Sequence, residues 1–299
     1  LETARYEEQL LEEGKRRPNV SGVLRILGVS RSGYLAWKKR LPSNQEKRKE
    51  QIKERILEIY QESHQNYGAP KIAECLRKKG EKIADKTVGN YMRELGIKAQ
   101  YVKPYTATTI EPDLSSRLRN ILKEDFNPEK PDAVWCSDIT YIWTCEGFVY
   151  LTSIMDLYSR KIIAWELSDT LEAKYVVKAV EKAKERRKVK KPLVLHTDRG
   201  IQYVCREYAE ATIGIKRSYS KKAYPWDNAC IESFHALIKR EWLNRFKIKN
   251  YDHAYKLVFE YIETFYNTVR IHSHCGYLSP NEYENEYEQK LNKMEKLAG

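Results

Sequence analysis

Three acidic residues stand in surroundings suited to cation-assisted phosphate chemistry. Asp138 lies within Val134-Trp135-Cys136-Ser137-Asp138-Ile139-Thr140-Tyr141-Ile142. Strand alternation puts Val134, Cys136, Asp138, Thr140 and Ile142 on one face. A carboxylate among such neighbours is costly unless a cation or hydrogen bonds compensate it. Asp198 follows the short apolar run Leu193-Val194-Leu195-His196-Thr197 and precedes Arg199-Gly200. In helix-covered sheets, sites gather at such strand ends, and Gly200 lets the chain turn away. Glu232 belongs to a segment that reads as a helix from about Asn228, after Pro225, with Asp227 as the expected N-cap. At ~100° per residue, Asn228, Glu232, His235 and Lys239 form one narrow polar stripe, while Phe234, Leu237 and Ile238 face inward. Phosphodiester cleavage and transfer need two hard cations ~3.5–4 Å apart, held by oxygen ligands. Asp138 is expected to bridge both, with Asp198 and Glu232 each holding one; Mg²⁺ is the expected ion and Mn²⁺ its substitute. Each acid alone reads as a surface or capping residue. The three in this order read as a site.

The elements around them fit that reading. Residues 134–144, 148–156 and 161–167 are β-rich runs separated by Glu146-Gly147 and Ser159-Arg160, which predicts an antiparallel meander. A helix over 171–188, a buried strand at 193–195, a helix over 205–213, a strand over 215–219 and the Glu232 helix follow. This order, βββαβαβα, predicts an α/β ribonuclease H-like core over 131–248. Helices over 251–269 and 281–297 form a C-terminal helical segment, 249–299. Upstream, 1–45 reads as a helix (1–14) and a helix–turn–helix unit. Its turn is Gly28, its second N-cap Ser30, and its second helix carries Arg31, Ser32 and Lys38. A second such unit is expected over 46–105, with Asp85 as N-cap of a helix bearing Thr87 and Arg93. An ordinary helical bundle is the alternative for each unit. Residues 106–130, rich in Pro and Thr, read as a linker containing a short helix.

Composition narrows the class. Of 299 residues, 41% are apolar and 32% charged, and 22 Tyr, 6 Trp and 6 Phe exclude a disordered basic tail. The net charge is +12 and local: residues 15–100 hold 21 Lys or Arg against nine Asp or Glu. That bias fits a polyanion-binding surface, with a solvated helical exterior as the alternative. No apolar stretch approaches the ~18 residues of a membrane span. Six scattered cysteines without a C-x-x-C pair argue against disulfides and a cysteine zinc cage, and fit a reducing cytosol. The chain opens on Leu1, as expected of a fragment, a processed product or one not started at its own codon.

Trp135 to Tyr141, His196-Thr197-Asp198-Arg199-Gly200-Ile201-Gln202-Tyr203 and Trp226-Asp227-Asn228-Ala229-Cys230-Ile231-Glu232-Ser233-Phe234 resemble the core motifs of bacterial insertion-sequence transposases. More narrowly, the chain resembles the second-frame (OrfB) product of the IS-three family, within the retroviral integrase superfamily. Tyr67-Gly68 through Met92-Arg93-Glu94 resembles that family's helix–turn–helix segment, and Asn267 to His272 through Ser279-Pro280 its C-terminal signature. The resemblance implies a DNA transposase with an Asp-Asp-Glu triad at Asp138, Asp198 and Glu232. It further implies a basic residue seven places after the glutamate, which is Lys239, and joining of element ends into a circle. Terminal inverted repeats and target DNA are the expected partners, within a homo-oligomeric synaptic complex in the bacterial cytoplasm, at the nucleoid. Ala223 stands where the family often has Gly.

The residues expected to touch DNA are Arg31, Ser32, Lys38, Thr87, Arg93, Asn228, His235, Lys239, Arg270 and His272. For Arg270 and His272, bracing the Glu232 helix is the alternative, and His272, His274 and Cys275 could also be metal ligands. Asp156 reads as a structural cap or a fourth acid, His196 as a brace for the Asp198 turn or a buried histidine. Gln202 and Tyr203 read as lining the DNA path, with core packing the alternative for Tyr203. A catalytically silent DNA-binding regulator and a junction resolvase are the rival functions.

Overall fold

The computed structural model describes residues 20–100, 118–188, 193–221 and 225–298. The expected helix over 1–14, most of the Pro-rich linker and Ala223 lie outside these. Two compact units divide the chain, Leu1–Arg55 and Ile56–Gly299.

In the first unit, α1 (Val20–Ile26) and α2 (Arg31–Lys38) enclose Leu24 and Tyr34, packed by Val20, Val23, Val29 and Trp37. Gly28, at φ 65°, makes the left-handed turn between them, where a side chain would be strained. Ser30 is the N-cap of α2, its Oγ accepting from Gly33 N at 3.0 Å. A Cβ on Gly33 would stand 2.9 Å from that oxygen, so glycine makes room for the cap. Arg31, Ser32 and Lys38 are exposed. Helix α3 (Asn44–Glu62) contains the division between the units.

The second helical segment does not stand apart from the catalytic body. Helices α4 (Ala69–Lys78) and α5 (Asp85–Glu94) bury Ile72, Ala73, Leu76, Val88 and Met92. Tyr67 Oη accepts from Ile271 N at 2.9 Å, and Lys78 Nζ donates to Tyr277 O at 2.6 Å. Arg245 donates to His64 O and to the Asn66 side chain, and the His64 ring meets Trp242 and Phe265 edge-on. The expected N-cap of α5 is corrected: Ala84 holds that position, and Asp85, one residue into the helix, pairs with Arg77 instead. Arg93 is exposed and Thr87 half-buried.

Five strands form the central sheet in the order β3-β2-β1-β4-β5. Strands β1 (Val134–Thr144), β2 (Gly147–Asp156) and β3 (Ile162–Ser168) are the expected antiparallel meander. Helix α6 (Ala173–Arg187) crosses over to β4 (Val194–Thr197), parallel to β1. Short helices α7 (Ile201–Val204) and α8 (Arg206–Ala211) lead to β5 (Lys216–Tyr219), parallel to β4. A 3-10 turn, Pro225–Asn228, opens α9 (Ala229–Glu241). Then α10 (Tyr251–Phe259) runs on as a π-helical stretch, Glu260–Tyr266, and α11 (Pro280–Ala298) ends the chain.

Each sheet face has its own core, as strand alternation requires. Cys136 and Ile142 pack with Ile231, Phe234 and Ile238 of α9 and with Tyr261 and Phe265. Trp135 and Ile154 pack on the other face with Val176, Ala179, Val180 and Ala183 of α6. Burying one such large apolar side chain contributes about 1.5–3 kcal/mol. Where the expected linker re-enters the described residues, it is fastened to the sheet. Ser218 Oγ accepts from Ile121 N at 2.8 Å and Leu122 N at 3.0 Å, and Leu122 is buried.

Candidate active site

The parallel ladder between β1 and β4 runs from Val134↔Val194 to Ser137↔Thr197 and ends there. Asp138 follows within β1 and Asp198 is the first residue beyond β4, on neighbouring strands ~4.8 Å apart. Beneath them Tyr203 is buried, its Oη 3.1 Å from Ser137 Oγ. Burial, and then the charges of Asp138 and Asp198, push its phenol far above the usual range, so both carboxylates act on one ring. Tyr203 is therefore core, not a lining of the DNA path. Asp198 Oδ1 accepts from Gly200 N at 3.0 Å. A Cβ on Gly200 would press to 3.1 Å from that oxygen, so this glycine serves the site by its lack of bulk.

Glu232 lies in the first turn of α9, at the surface. Its carboxyl is raised above the usual range, by partial burial and then by the charge of Asp138. Glu232 thus stands near enough to Asp138 to feel its charge. His235, one turn on, is buried: Nδ1 is 3.3 Å from Asp138 Oδ2 and Nε2 3.3 Å from Ser153 Oγ. Ser153 is the cross-strand partner of Asp138 in β2. With both ring nitrogens turned inward, His235 is not a DNA contact; the stripe is divided. Asn228 is buried too, its Oδ1 without a hydrogen-bond partner and its side chain capping nothing, which removes it from the DNA surface. Asp227 is not the N-cap of α9, a place held by Asn228. Its Oδ2 accepts from Lys221 N at 2.6 Å and Asn120 Nδ2 at 2.9 Å. Lys239 is half-buried, its ammonium 4.3 Å from the Tyr141 ring centroid. Burial lowers its pKa, against the opposing pull of Asp138.

Farther out, the expected DNA contact at Arg270 is corrected. Arg270 is buried and bidentate to Glu241, Nε to Oε2 and Nη2 to Oε1, each at 2.7 Å, with Tyr261 Oη donating to Oε2 at 2.8 Å. Burial alone would raise the Glu241 carboxyl, but the Arg270 bonds outweigh it and hold it below the usual range. Arg270 braces the last residue of the helix that carries Glu232. His272 is half-buried, and burial, with the charges of Arg270 and Lys71, pushes its pKa down to about 3. A neutral ring offers a phosphate no charge.

The remaining candidates are spent on structure. Asp156 is buried at a turn, accepting from Asp132 N at 2.8 Å and Tyr158 N at 2.9 Å, and burial pushes it up to about 7. His274 Nε2 meets Tyr158 O at 3.1 Å and Cys275 Sγ donates to Ser159 O at 3.2 Å. His196 is buried between β4 and β5, Nδ1 2.9 Å from Ser218 Oγ. Gln202 Nε2 donates to Leu171 O at 3.1 Å.

Sequence reasoning missed Ser153, although the signal was there. The Glu146-Gly147 turn pairs Thr144 with Gly147, and counting six places back reaches Asp138 opposite Ser153. Among the described residues, no three His, Cys, Asp or Glu side chains stand close enough to cage an ion. The donor chemistry nevertheless fits a hard cation. All three carboxylates offer oxygen, and Glu232, raised first by burial and then by the charge of Asp138, is a group whose ionised form a bound cation would favour.

A mixed five-stranded sheet with acids at the middle of β1, just after β4 and on the helix that follows β5 defines a ribonuclease H-like, integrase-type core. The integrase core domain family matches residues 128–225, a second integrase core domain family 213–280, and the HTH-like domain family 47–105. Transposase InsF for insertion sequence IS3A of Escherichia coli (strain K12) is 33% identical over 280 residues, covering 92% of this chain and 97% of its own. The insertion element IS600 uncharacterized 31 kDa protein of Shigella sonnei is 32% identical over 266 residues, covering 88% and 98%. The HTLV-2 integrase catalytic core domain in complex with magnesium (dimeric form) superposes with a TM-score of 0.40 at 17% identity, over 52% of this chain and 98% of that one. The chain belongs to the IS3 family of insertion-sequence transposases.

Proposed function

We propose that this transposase cleaves DNA at the ends of its insertion sequence and uses the freed 3′-hydroxyl to attack a phosphodiester of target DNA, with Mg²⁺ held by Asp138, Asp198 and Glu232. The observation that carries this reading is the ladder ending at Ser137↔Thr197, which sets the two aspartates abreast beneath the Glu232 helix. When bound, the ions activate the attacking oxygen and stabilise the leaving one. The chain's own residues do the rest. Gly200 N and His235 hold the two aspartates in place, and the first turn of α9 supplies Glu232. Lys239 meets the phosphate backbone as a point charge, which positions the strand without reading bases. Terminal inverted repeats are bound through α2, with Arg31, Ser32 and Lys38, and through α5, with Thr87 and Arg93. Two or more copies bring the element ends together, in the bacterial cytoplasm where the DNA is. Labelled terminal-repeat DNA incubated with Mg²⁺ should be cut and joined, and chelator should stop both. Asp198→Asn should abolish cutting and leave DNA binding intact; comparable cutting by the variant would overturn the triad.

A further inference from the structure

Helix α9, which carries Glu232, is held at both ends. Arg270 braces Glu241 at its last residue, and Asp227 anchors the 3-10 turn, Pro225–Asn228, that opens it. Asp227 is 1% exposed and stands five residues before Glu232. Its Oδ2 accepts from Lys221 N and from Asn120 Nδ2, the latter at 2.9 Å. Asn120 lies 107 residues upstream, in the stretch that leads from the helical N-terminal region into the sheet. That stretch is gripped residue by residue. Arg119 O accepts from Tyr219 N at 3.0 Å, and Ser218 Oγ accepts from Ile121 N and Leu122 N. Ser218 Oγ also stands 2.9 Å from Nδ1 of His196, two residues before Asp198. The charge of Asp227 reaches the same ring and opposes the burial that pushes its pKa down to about 4. Residues 119–122 therefore touch the supports of both Asp198 and Glu232.

We infer that Asn120 is a positioning residue for Glu232, acting through Asp227, so that the entering segment sets the start of the helix that carries this acid. The inference rests on the assignment of Glu232 as a ligand of the catalytic ions. The amide is what the place requires. Asn120 Oδ1 accepts from Lys123 N at 2.8 Å, which turns Nδ2 toward Asp227. Acceptor and donor are both used, and a side chain of this size offers both only as an amide. A carboxylate at 120 would keep the bond to Lys123 N but set a second negative oxygen against Asp227 Oδ2. With Arg270 fixing the far end, a slackened start lets the first turn of α9 shift. A misplacement of ~1 Å at a reacting group costs about 100-fold in rate at the extreme.

The test uses the full chain, Mg²⁺ and labelled terminal-repeat DNA. Asn120→Asp should slow strand transfer about ten-fold and raise the Mg²⁺ concentration needed for half the maximal rate. Its DNA affinity without metal should stay that of the wild type, and the rise in melting temperature produced by Mg²⁺ should shrink. Asp227→Asn should lose less, because an amide oxygen still accepts from both donors. Combining the two removes the repulsion, so the double variant should regain much of what Asn120→Asp loses, a coupling that separate sites would not show. Wild-type Mg²⁺ requirement and Mg²⁺-induced stabilisation in Asn120→Asp would overturn the inference, even with a lowered melting temperature, by making the contact architectural. A double variant no better than Asn120→Asp would overturn it too, since the effect would not run through Asp227. A wild-type protein that shows the Mg²⁺ stabilisation, and loses it in Asn120→Asp, but does not cut DNA would refute the cleavage assignment alone.

Discussion

His235 holds Asp138 and its strand partner Ser153 together, with Nδ1 3.3 Å from Asp138 Oδ2 and Nε2 3.3 Å from Ser153 Oγ. Nδ1 stands at ion-pair distance from the carboxylate and Nε2 within hydrogen-bond distance of the serine hydroxyl. The imidazole thereby fixes the direction in which the carboxylate presents its oxygens. His235→Phe should fill the same space yet leave Asp138 unaimed. Strand transfer should fall about 10–100-fold and need more Mg²⁺, with the melting temperature little changed. A Mg²⁺ titration of strand transfer by wild type, His235→Phe and His235→Gln decides it, the glutamine variant recovering part of the loss.

Glu232 lets the crowding of negative charge be read as stability. Its carboxyl is raised by partial burial and by Asp138, so in metal-free protein its ionised form is disfavoured by folding. Below the unfolded-state value of ~4.3 it is protonated in both states and the cost is absent. The cost develops as pH rises through that value and is complete above the folded-state value. Glu232→Gln should therefore melt above wild type at pH 7 and nearly with it at pH 4. Mg²⁺ should raise the melting temperature of the wild type more than that of the variant. Equal melting at pH 7 would show that Glu232 does not feel the charge of Asp138.

Arg270 and Glu241 form a buried pair, and removing one partner strands the other charge. Arg270→Met should cost about 3–5 kcal/mol, a fall of about 10 °C in melting temperature for a unit of this size. Arg270→Met with Glu241→Met should regain much of it. Thermal unfolding of the single and double variants is the check. A variant of full stability that has lost DNA binding would return Arg270 to the DNA surface.

Lys239 should act on DNA and not on metal. Lys239→Ala should weaken end binding, lower the salt slope by about one and slow strand transfer. Lys239→Arg should keep much of the activity, since a guanidinium also packs on the Tyr141 ring. Mg²⁺ dependence should be the same in all three proteins. Wild-type binding and salt slope in Lys239→Ala would leave the residue a packing contact of Tyr141.

The meander, the α6 crossover and the placement of all three acids were legible because they follow from period-two alternation and from charge set where burial is costly. Helical periodicity was a poorer guide on α9. It places Asn228, Glu232, His235 and Lys239 at similar angles, but not at similar depth. Asn228 and His235 are buried, and Glu232 is exposed. Arg270 misled for a related reason: an arginine after a helix reads equally as a phosphate contact or a brace until its acid is found 29 residues upstream. Nor does sequence show that 56–100 folds into the catalytic body, because Tyr67, Arg245 and Lys78 achieve this through backbone groups that have no side-chain signature.

The tie between Arg270 and the end of α9 also has a bearing on synthesis. Emerging from the ribosome, the chain presents α1 and α2 before the five strands, and Arg270 only after all three acids are out. Until then Glu241 lacks its bidentate partner, and the last residue of the helix that carries Glu232 is unbraced. A nascent or prematurely terminated chain thus completes α1 and α2 well before the three acids are held in place. On the proposed reading such a product would occupy element ends without processing them, a dominant brake on the full-length enzyme made from the same message.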